Sequence, residues 1–219
     1  MTQVRDNCLR VLERIHNTAA RVGRDPASIR LIAVTKKVPP ENIREAAGCG
    51  IRDAGENRLQ EALPKIQSLS DLGLTWHFIG HLQTNKARKV VEFFQWIQCV
   101  DRNELANKLD DAATAPLPVL IEVKLHDEPS KSGVDEASLP ELIEQFSRYR
   151  ALQLRGLMAI PPFLENAEQV RPYFRKLREL AEKFALPELS MGMSHDFEIA
   201  IEEGATMVRV GTSLFGERS

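Results

Sequence analysis

The stretch RLIAVTKKVPPENIREAAG (residues 30–48) predicts the fold of the chain. Its first six residues, 30–35, are mostly apolar and rich in β-branched side chains, which is typical of a buried strand. Two lysines and two prolines end that strand, and residues 40–48 then have the apolar spacing of a helix. A strand followed directly by a helix is the repeating unit of parallel sheets, whose crossovers are right-handed.

The same unit recurs along the whole chain. The seven further strand candidates are residues 51–54, 75–79, 96–100, 117–124, 152–158, 188–191 and 206–210. Helical patterns between and after them cover residues 57–68, 84–94, 102–113, 138–147, 166–185 and 196–203, and an additional amphipathic helix precedes the first strand at 3–22. Eight units predict an α/β fold, a (β/α)8 barrel with an extra N-terminal helix; an open doubly wound sheet is the alternative. Because no proline- or glycine-rich linker divides the chain, we expect one domain over residues 1–219.

Composition excludes several classes of function. The 219 residues carry a net charge of -2 with basic and acidic residues interleaved, which argues against a nucleic-acid partner. No apolar run approaches the roughly 20 residues that span a bilayer, and MTQVRDNCLR (residues 1–10) is too polar for a secretory signal. Three cysteines without a CxxC pair argue against a disulfide framework or structural zinc. We therefore expect a cytoplasmic protein without a membrane partner or a metal.

Polar residues and glycines follow most of the predicted strands. These segments are Lys36–Lys37, Gly55–Glu61, Gly80–Lys86, Asp101, Asp127–Gly133, Gly192–Asp196 and Arg209–Gly216. In a (β/α)8 barrel the carboxyl ends of the strands meet at one face, which holds the active site. The pattern predicts one ligand site there.

The last two of these segments favour a phosphate. Barrels often bind phosphate with the loops after strands seven and eight. Gly211 lets backbone approach a ligand, while Thr212, Ser213 and Ser194 offer hydroxyl groups and the start of a short helix offers N–H groups. The alternative is an ordinary glycine turn with helix-capping hydroxyls. Arg209 interrupts an apolar strand and needs either an ion pair or a polar ligand.

The two lysines after the first strand lie on opposite faces of it. Alternation places Lys36 on the face of Ile32 and Val34, and Lys37 on the other face. Only one of them can point into the barrel mouth, and alternation does not say which. A desolvated lysine there could form a Schiff base with an aldehyde, whereas the alternative is a surface lysine.

Two tempting motifs fail on geometry. Ser194, His195 and Asp196 spell a hydrolytic triad, but neighbouring side chains diverge, whereas a triad needs converging groups. His77 and His81 would lie about 13 Å apart in an extended segment, too far to share a metal ion.

Several segments that occur in one order carry a resemblance to a known family. They are AVTKK (33–37), GENRLQE (55–61), WHFIGHLQTNK (76–86), SKSG (130–133), RGLMAI (155–160) and LSMGMSHDFEIAIEEGATMVRVGTSLFGER (189–218). Together they make residues 5–218 resemble the pyridoxal phosphate homeostasis protein family, the single-domain relatives of the alanine racemase barrel.

The resemblance implies pyridoxal 5′-phosphate (PLP) as cofactor and six residues that bind it. By position in the family motifs these are Lys36 for the Schiff base, Ser194, Gly211 and Thr212 for the phosphate, Arg209 near the pyridine nitrogen, and Asn57 beside the cofactor. Thr35 stands where serine is frequent, which keeps the hydroxyl. Arg58 stands where many relatives carry a tyrosine, so a role of that tyrosine does not carry over.

The function implied is PLP binding in intracellular vitamin B6 homeostasis, without turnover and with no catalytic residue. PLP-requiring apo-enzymes are the expected protein partners, and a monomer is the expected state. The alternative is a PLP-dependent amino-acid racemase, which would need a second domain and a tyrosine base. Tyr149 and Tyr173 both fall in helix-like stretches away from the strand ends. An aldolase with a barrel lysine ranks lower, because its lysine usually sits on a later strand.

Overall fold

Eight parallel strands close into a barrel in the order β1 to β8, with β8 paired to β1. The structure is a computed structural model that describes residues 2–126 and 132–217. The strands are β1 Arg30–Val34, β2 Asp53–Glu56, β3 Thr75–Phe78, β4 Trp96–Val100, β5 Leu117–Glu122, β6 Leu152–Met158, β7 Glu188–Ser190 and β8 Met207–Val210. The predicted (β/α)8 barrel is confirmed, and the open sheet is excluded because the first and last strands pair.

Helices surround the barrel and connect its strands. They are α1 Gln3–Arg21, α2 Pro40–Gly48, α3 Leu59–Ser68, α4 Ala87–Val91, α5 Asn103–Ala112, α6 Leu139–Gln145, α7 Arg171–Lys183, α8 Phe197–Glu202 and α9 Thr212–Phe215. The extra N-terminal helix is confirmed: α1 buries Val4, Cys8, Val11 and Ile15. Asn7 of α1 donates a hydrogen bond of 3.0 Å to the carbonyl of Leu214, which ties α1 to α9. No helix in the described ranges is long and apolar enough to cross a membrane.

Apolar side chains fill both the barrel interior and the layer between strands and helices. Ile32, Leu120, Met158 and Met207 form the interior cluster. Consecutive residues of β5 are fully buried on both faces, which explains its continuous apolar run. Gly156 allows β6 to approach β7, because a Cβ atom there would lie 1.8 Å from the carbonyl oxygen of Glu188.

Two examples show how the bounds of predicted elements differ in the structure. β2 begins at Asp53, two residues later than predicted, because its pairing with β1 begins at Asp53 and Ile32. The predicted helix 166–185 is divided into a short 3-10 turn and α7. Pro172 explains the division, since a proline is tolerated in the first turn of a helix and not in its interior.

Candidate functional site

An open cleft of about 750 Å³ lies at the carboxyl end of the barrel. Five of the six predicted site residues line it: Lys36, Ser194, Arg209, Gly211 and Thr212. They come from β8 and from the segments that follow β1, β7 and β8, three strands that are adjacent around the closed barrel. Closure of the barrel therefore brings together residues that are up to 176 positions apart in sequence.

The structure decides which lysine faces the cleft. Ile32 belongs to the interior cluster, so the strand face that it shares with Lys36 is the interior one. Lys36 continues this face into the cleft and is exposed there. Lys37 has a positive φ of 57°, and it lines a separate groove with Glu61 and Lys65.

A buried ion cluster fixes the end of β1 from the outer side of the barrel wall. The Lys65 ammonium donates to the carboxylates of Glu56 and Glu61 at 2.8 and 2.7 Å. It also donates to the carbonyl of Thr35 at 2.7 Å. The Thr35 hydroxyl donates to Glu56 at 2.6 Å, and the backbone N–H of Lys37 donates to Glu61. The residues on both sides of Lys36 are thereby fixed to α3 and β2.

The polarity of the segment Gly55–Glu61 predicts a loop that lines the ligand site. In the structure no residue of this segment lines the cleft. Its two glutamates belong to the ion cluster outside the barrel wall. Asn57 is not among the residues that line the cleft; it packs against Gly80, where a Cβ atom would lie 2.5 to 2.7 Å from it. The buried Asn57 Oδ1 accepts no hydrogen bond from the described residues. The role of Asn57 beside the cofactor stays a prediction.

Arg209 is a buried cation at the floor of the cleft. It is 4% exposed and donates to the Ser190 hydroxyl at 2.6 Å and to the Ala159 carbonyl at 2.9 Å. Among the described residues it makes no ion pair, although the Glu122 and Asp196 carboxylates act on it through space. Burial lowers the pKa of Arg209 to about 10, so the guanidinium is still charged at neutral pH.

The loops after β7 and β8, which are the predicted phosphate-binding loops, contact each other directly. Ser194 Oγ accepts hydrogen bonds from the backbone N–H groups of Gly211 and Ser213, both at 3.2 Å. The Ser213 hydroxyl donates back to the Ser194 carbonyl at 3.3 Å. Thr212 is exposed at the start of α9. Hydroxyls and backbone N–H groups therefore converge on one side of the cleft, which is the donor set that a phosphate needs.

The three residues Ser194, His195 and Asp196 diverge, as their consecutive positions predict. The His195 ring contacts the Glu165 carbonyl at 3.2 Å, while the Asp196 carboxylate accepts from the backbone N–H of Met193 at 2.6 Å. His77 is fully buried and bonds to Asp53. The described residues contain no group of three or more side chains that could hold a metal ion.

Glu122 is a candidate residue that the sequence reasoning missed. It ends β5, is 6% exposed, and accepts the Ser132 hydroxyl on both carboxylate oxygens at 3.1 Å. Burial raises the pKa of Glu122 to about 7. The available signal was a single carboxylate inside the apolar run LPVLIEVK (117–124). The loop beyond it includes residues 127–131 of the predicted Asp127–Gly133 segment, which lie outside the described residues.

Comparison with known proteins places the chain among relatives of nearly equal length. Residues 11–219 match the family model of the alanine racemase N-terminal domain. A pyridoxal phosphate homeostasis protein from Aquifex aeolicus is 51% identical over 218 residues, which are 95% of this chain and 96% of that protein.

Two solved structures resemble the chain to different degrees. PipY from Synechococcus elongatus, solved with PLP bound, is 43% identical with a TM-score of 0.82, over 94% of this chain and 100% of that one. Alanine racemase from Corynebacterium glutamicum shares the fold alone, at 17% identity and a TM-score of 0.72, and this chain covers 62% of it. The full-length identity, and not the fold alone, shows that the chain belongs to the pyridoxal phosphate homeostasis protein family within the alanine racemase N-terminal domain family.

Proposed function

We propose that this protein binds pyridoxal 5′-phosphate in the cleft and serves intracellular PLP (vitamin B6) homeostasis. The observation that carries the proposal is that one cleft is lined both by an exposed amine, Lys36, and by a buried guanidinium, Arg209, which forms no ion pair with a carboxylate among the described residues. Relatives of similar length are named for this role, and PipY was solved with PLP bound.

The residues present fit the aldehyde and the phosphate of PLP. The cofactor supplies an aldehyde that combines reversibly with amines. Lys36 provides such an amine on the solvent side of the cleft, and we assign it the Schiff base. Ser194, Gly211 and Thr212 provide hydroxyl and N–H donors for the phosphate. Asn57 lies outside the lining of the cleft, and its buried Oδ1 has no hydrogen-bond partner among the described residues.

Arg209 supports a carrier over an enzyme. Arginine keeps its proton near neutral pH and only donates, so a ring nitrogen bound to it stays unprotonated. PLP in that state would withdraw electrons more weakly, which would limit the carbanion chemistry open to the site. We infer that the protein protects or delivers PLP without turnover of its own.

The positions of the tyrosines also support the carrier. Tyr173 lies on α7, and Tyr149 follows α6 and packs edge-to-face against Phe146. Neither is among the described residues that line the cleft. A two-base racemase of this fold would need such a side chain over the cofactor. We further propose that residues 1–219 act as one domain, as a cytoplasmic monomer that delivers PLP to apo-enzymes.

Absorbance of the purified protein with added PLP tests the binding proposal. A band of a lysine Schiff base is expected in the wild type and in Lys37→Ala, and it is expected to disappear in Lys36→Ala. Persistence of the band in Lys36→Ala would refute the assignment. For the carrier role, the loaded protein is incubated with D- and L-amino acids; racemisation or decarboxylation above the rate of free PLP would favour the racemase alternative.

A further inference from the structure

A chain of hydrogen bonds runs through the barrel interior from the cleft toward the opposite end. Arg209 of β8 donates to Ser190 of β7 at 2.6 Å, and Ser190 donates to Gln98 of β4 at 2.6 Å. The Gln98 amide contacts Nδ1 of His77 in β3 at 3.0 Å. Nε2 of His77 lies 2.8 Å from the carboxylate of Asp53, the first residue of β2. Five strands each contribute one residue to this relay.

The chemistry of its two ends fixes the direction of every bond. Arginine can only donate and a carboxylate can only accept. Because Nε2 of His77 faces Asp53, that nitrogen carries the proton, and Nδ1 accepts from the Gln98 amide N–H. Burial lowers the pKa of His77, which keeps the ring neutral. All donors of the relay therefore point away from the cleft, from the cation to the anion.

Because the relay is buried, each of its hydrogen-bonding groups depends on its neighbours in the relay for a partner. Ser190, Gln98 and His77 are fully buried, so water cannot replace a lost partner. The His77 ring also stacks on Trp96 at a centroid distance of 5.7 Å, which fixes its plane. Removing one member leaves its neighbour with an unsatisfied polar group or free to reorient.

The relay ends on the one residue of the set that lines the cleft. A guanidinium has five N–H bonds, and the described residues accept two of those of Arg209, through Ser190 and Ala159. If the network only stabilised the core, we would expect every N–H group of its last residue to have a hydrogen-bond acceptor. We propose that Ser190, Gln98, His77 and Asp53 are positioning residues that hold the guanidinium of Arg209 in the orientation required by the acceptor nitrogen of the bound cofactor.

The first test needs no cofactor. Side-chain ¹⁵N NMR of the apoprotein, with Arg209→Lys to assign the signal, measures rotation of the Arg209 guanidinium in Ser190→Ala and His77→Phe. We expect rotation about tenfold faster than in wild type. Leu120→Ala, a buried interior change outside the relay, is the matched control and is expected to leave the rate unchanged. Wild-type rotation in both Ser190→Ala and His77→Phe would overturn the proposal.

The second test rests on the proposed function. PLP affinity is expected to fall about tenfold in Ser190→Ala and in His77→Phe, with a shifted absorption maximum, while Leu120→Ala keeps the wild-type spectrum. If these variants lose thermal stability but keep the wild-type spectrum and guanidinium rotation, the relay is structural only and the inference is wrong. If wild type binds no PLP, the proposed function fails, and the apoprotein measurement still decides whether the relay orients Arg209.

Discussion

The ammonium of Lys65 lies 2.7 Å from the carbonyl oxygen of Thr35, the residue directly before Lys36. The same ammonium neutralises Glu56, which is fully buried between the sheet and α3. Burial raises the pKa of Glu56, so the carboxyl depends on this partner for its charge. Lys65, on the outside of the barrel wall, thus fixes the backbone next to Lys36, which lines the cleft on the inside.

Lys65→Met is expected to destabilise the protein by about 3 kcal/mol or more, because it leaves Glu56 buried without a counter-charge. Urea unfolding at neutral pH measures the change. Lys89→Met is the matched control, since Lys89 pairs with Glu92 on the exposed surface and is expected to matter little. A Lys65→Met protein as stable as the control variant would contradict the account of the cluster.

Glu122 predicts a defined pH dependence. Its pKa is raised from 4.5 to about 7 in the folded state, so the folded protein binds more protons than the unfolded chain between these values. The free energy of unfolding therefore falls as pH rises through this window. Relative to wild type, Glu122→Gln is expected to gain less than about 1 kcal/mol at pH 5 and about 3 kcal/mol at pH 8.

Urea unfolding of wild type and Glu122→Gln at both pH values measures this difference. Glu92→Gln, an exposed change of the same type, serves as control and is expected to run parallel to wild type. If Glu122→Gln also runs parallel to wild type, the carboxyl of Glu122 does not titrate as the burial implies.

Gly156 predicts a steric limit on the barrel. Gly156→Ala places a Cβ atom 1.8 Å from the Glu188 carbonyl oxygen, so β6 and β7 must separate. We expect a loss of about 3 kcal/mol in the free energy of unfolding, measured by urea unfolding. Gly48→Ala has open space around its Cβ and is expected to be neutral or mildly stabilising. Equal stability of the two variants would contradict the β6–β7 packing.

Ser194 predicts selectivity for the phosphate. Ser194→Ala removes the hydroxyl that links the two phosphate loops, so PLP affinity is expected to fall about tenfold. Pyridoxal, which lacks the phosphate, is the matched control ligand and should bind both proteins equally. Titration by absorbance measures both ligands. An equal loss for pyridoxal would show that Ser194 acts elsewhere than at the phosphate.

The fold could be predicted because each βα unit carries its own signal. The buried run of β5 and the two prolines at the start of α2 are local features of the chain. The second strand begins two residues later than predicted, because its pairing with β1, and not the local pattern, decides where it begins.

The site was only partly predictable, because its partners are distant in sequence. Alternation could not choose between Lys36 and Lys37 until Ile32 was located inside the barrel. The interior relay joins Gln98 to Ser190, which are 92 positions apart, and no local sequence pattern indicates such a contact. By contrast, the ion pair of Glu61 and Lys65 joins residues four positions apart on one helix, although no prediction was made for it.

The central claim is that Lys36 holds the cofactor. Mass spectrometry after borohydride reduction of the PLP-loaded protein tests it most directly, because reduction fixes the pyridoxyl group on the lysine that carries it. We expect the pyridoxyl mass on the peptide containing Lys36, with fragment ions that assign it to Lys36 and not Lys37. A pyridoxyl group confined to Lys37, or to any other lysine, would contradict the account.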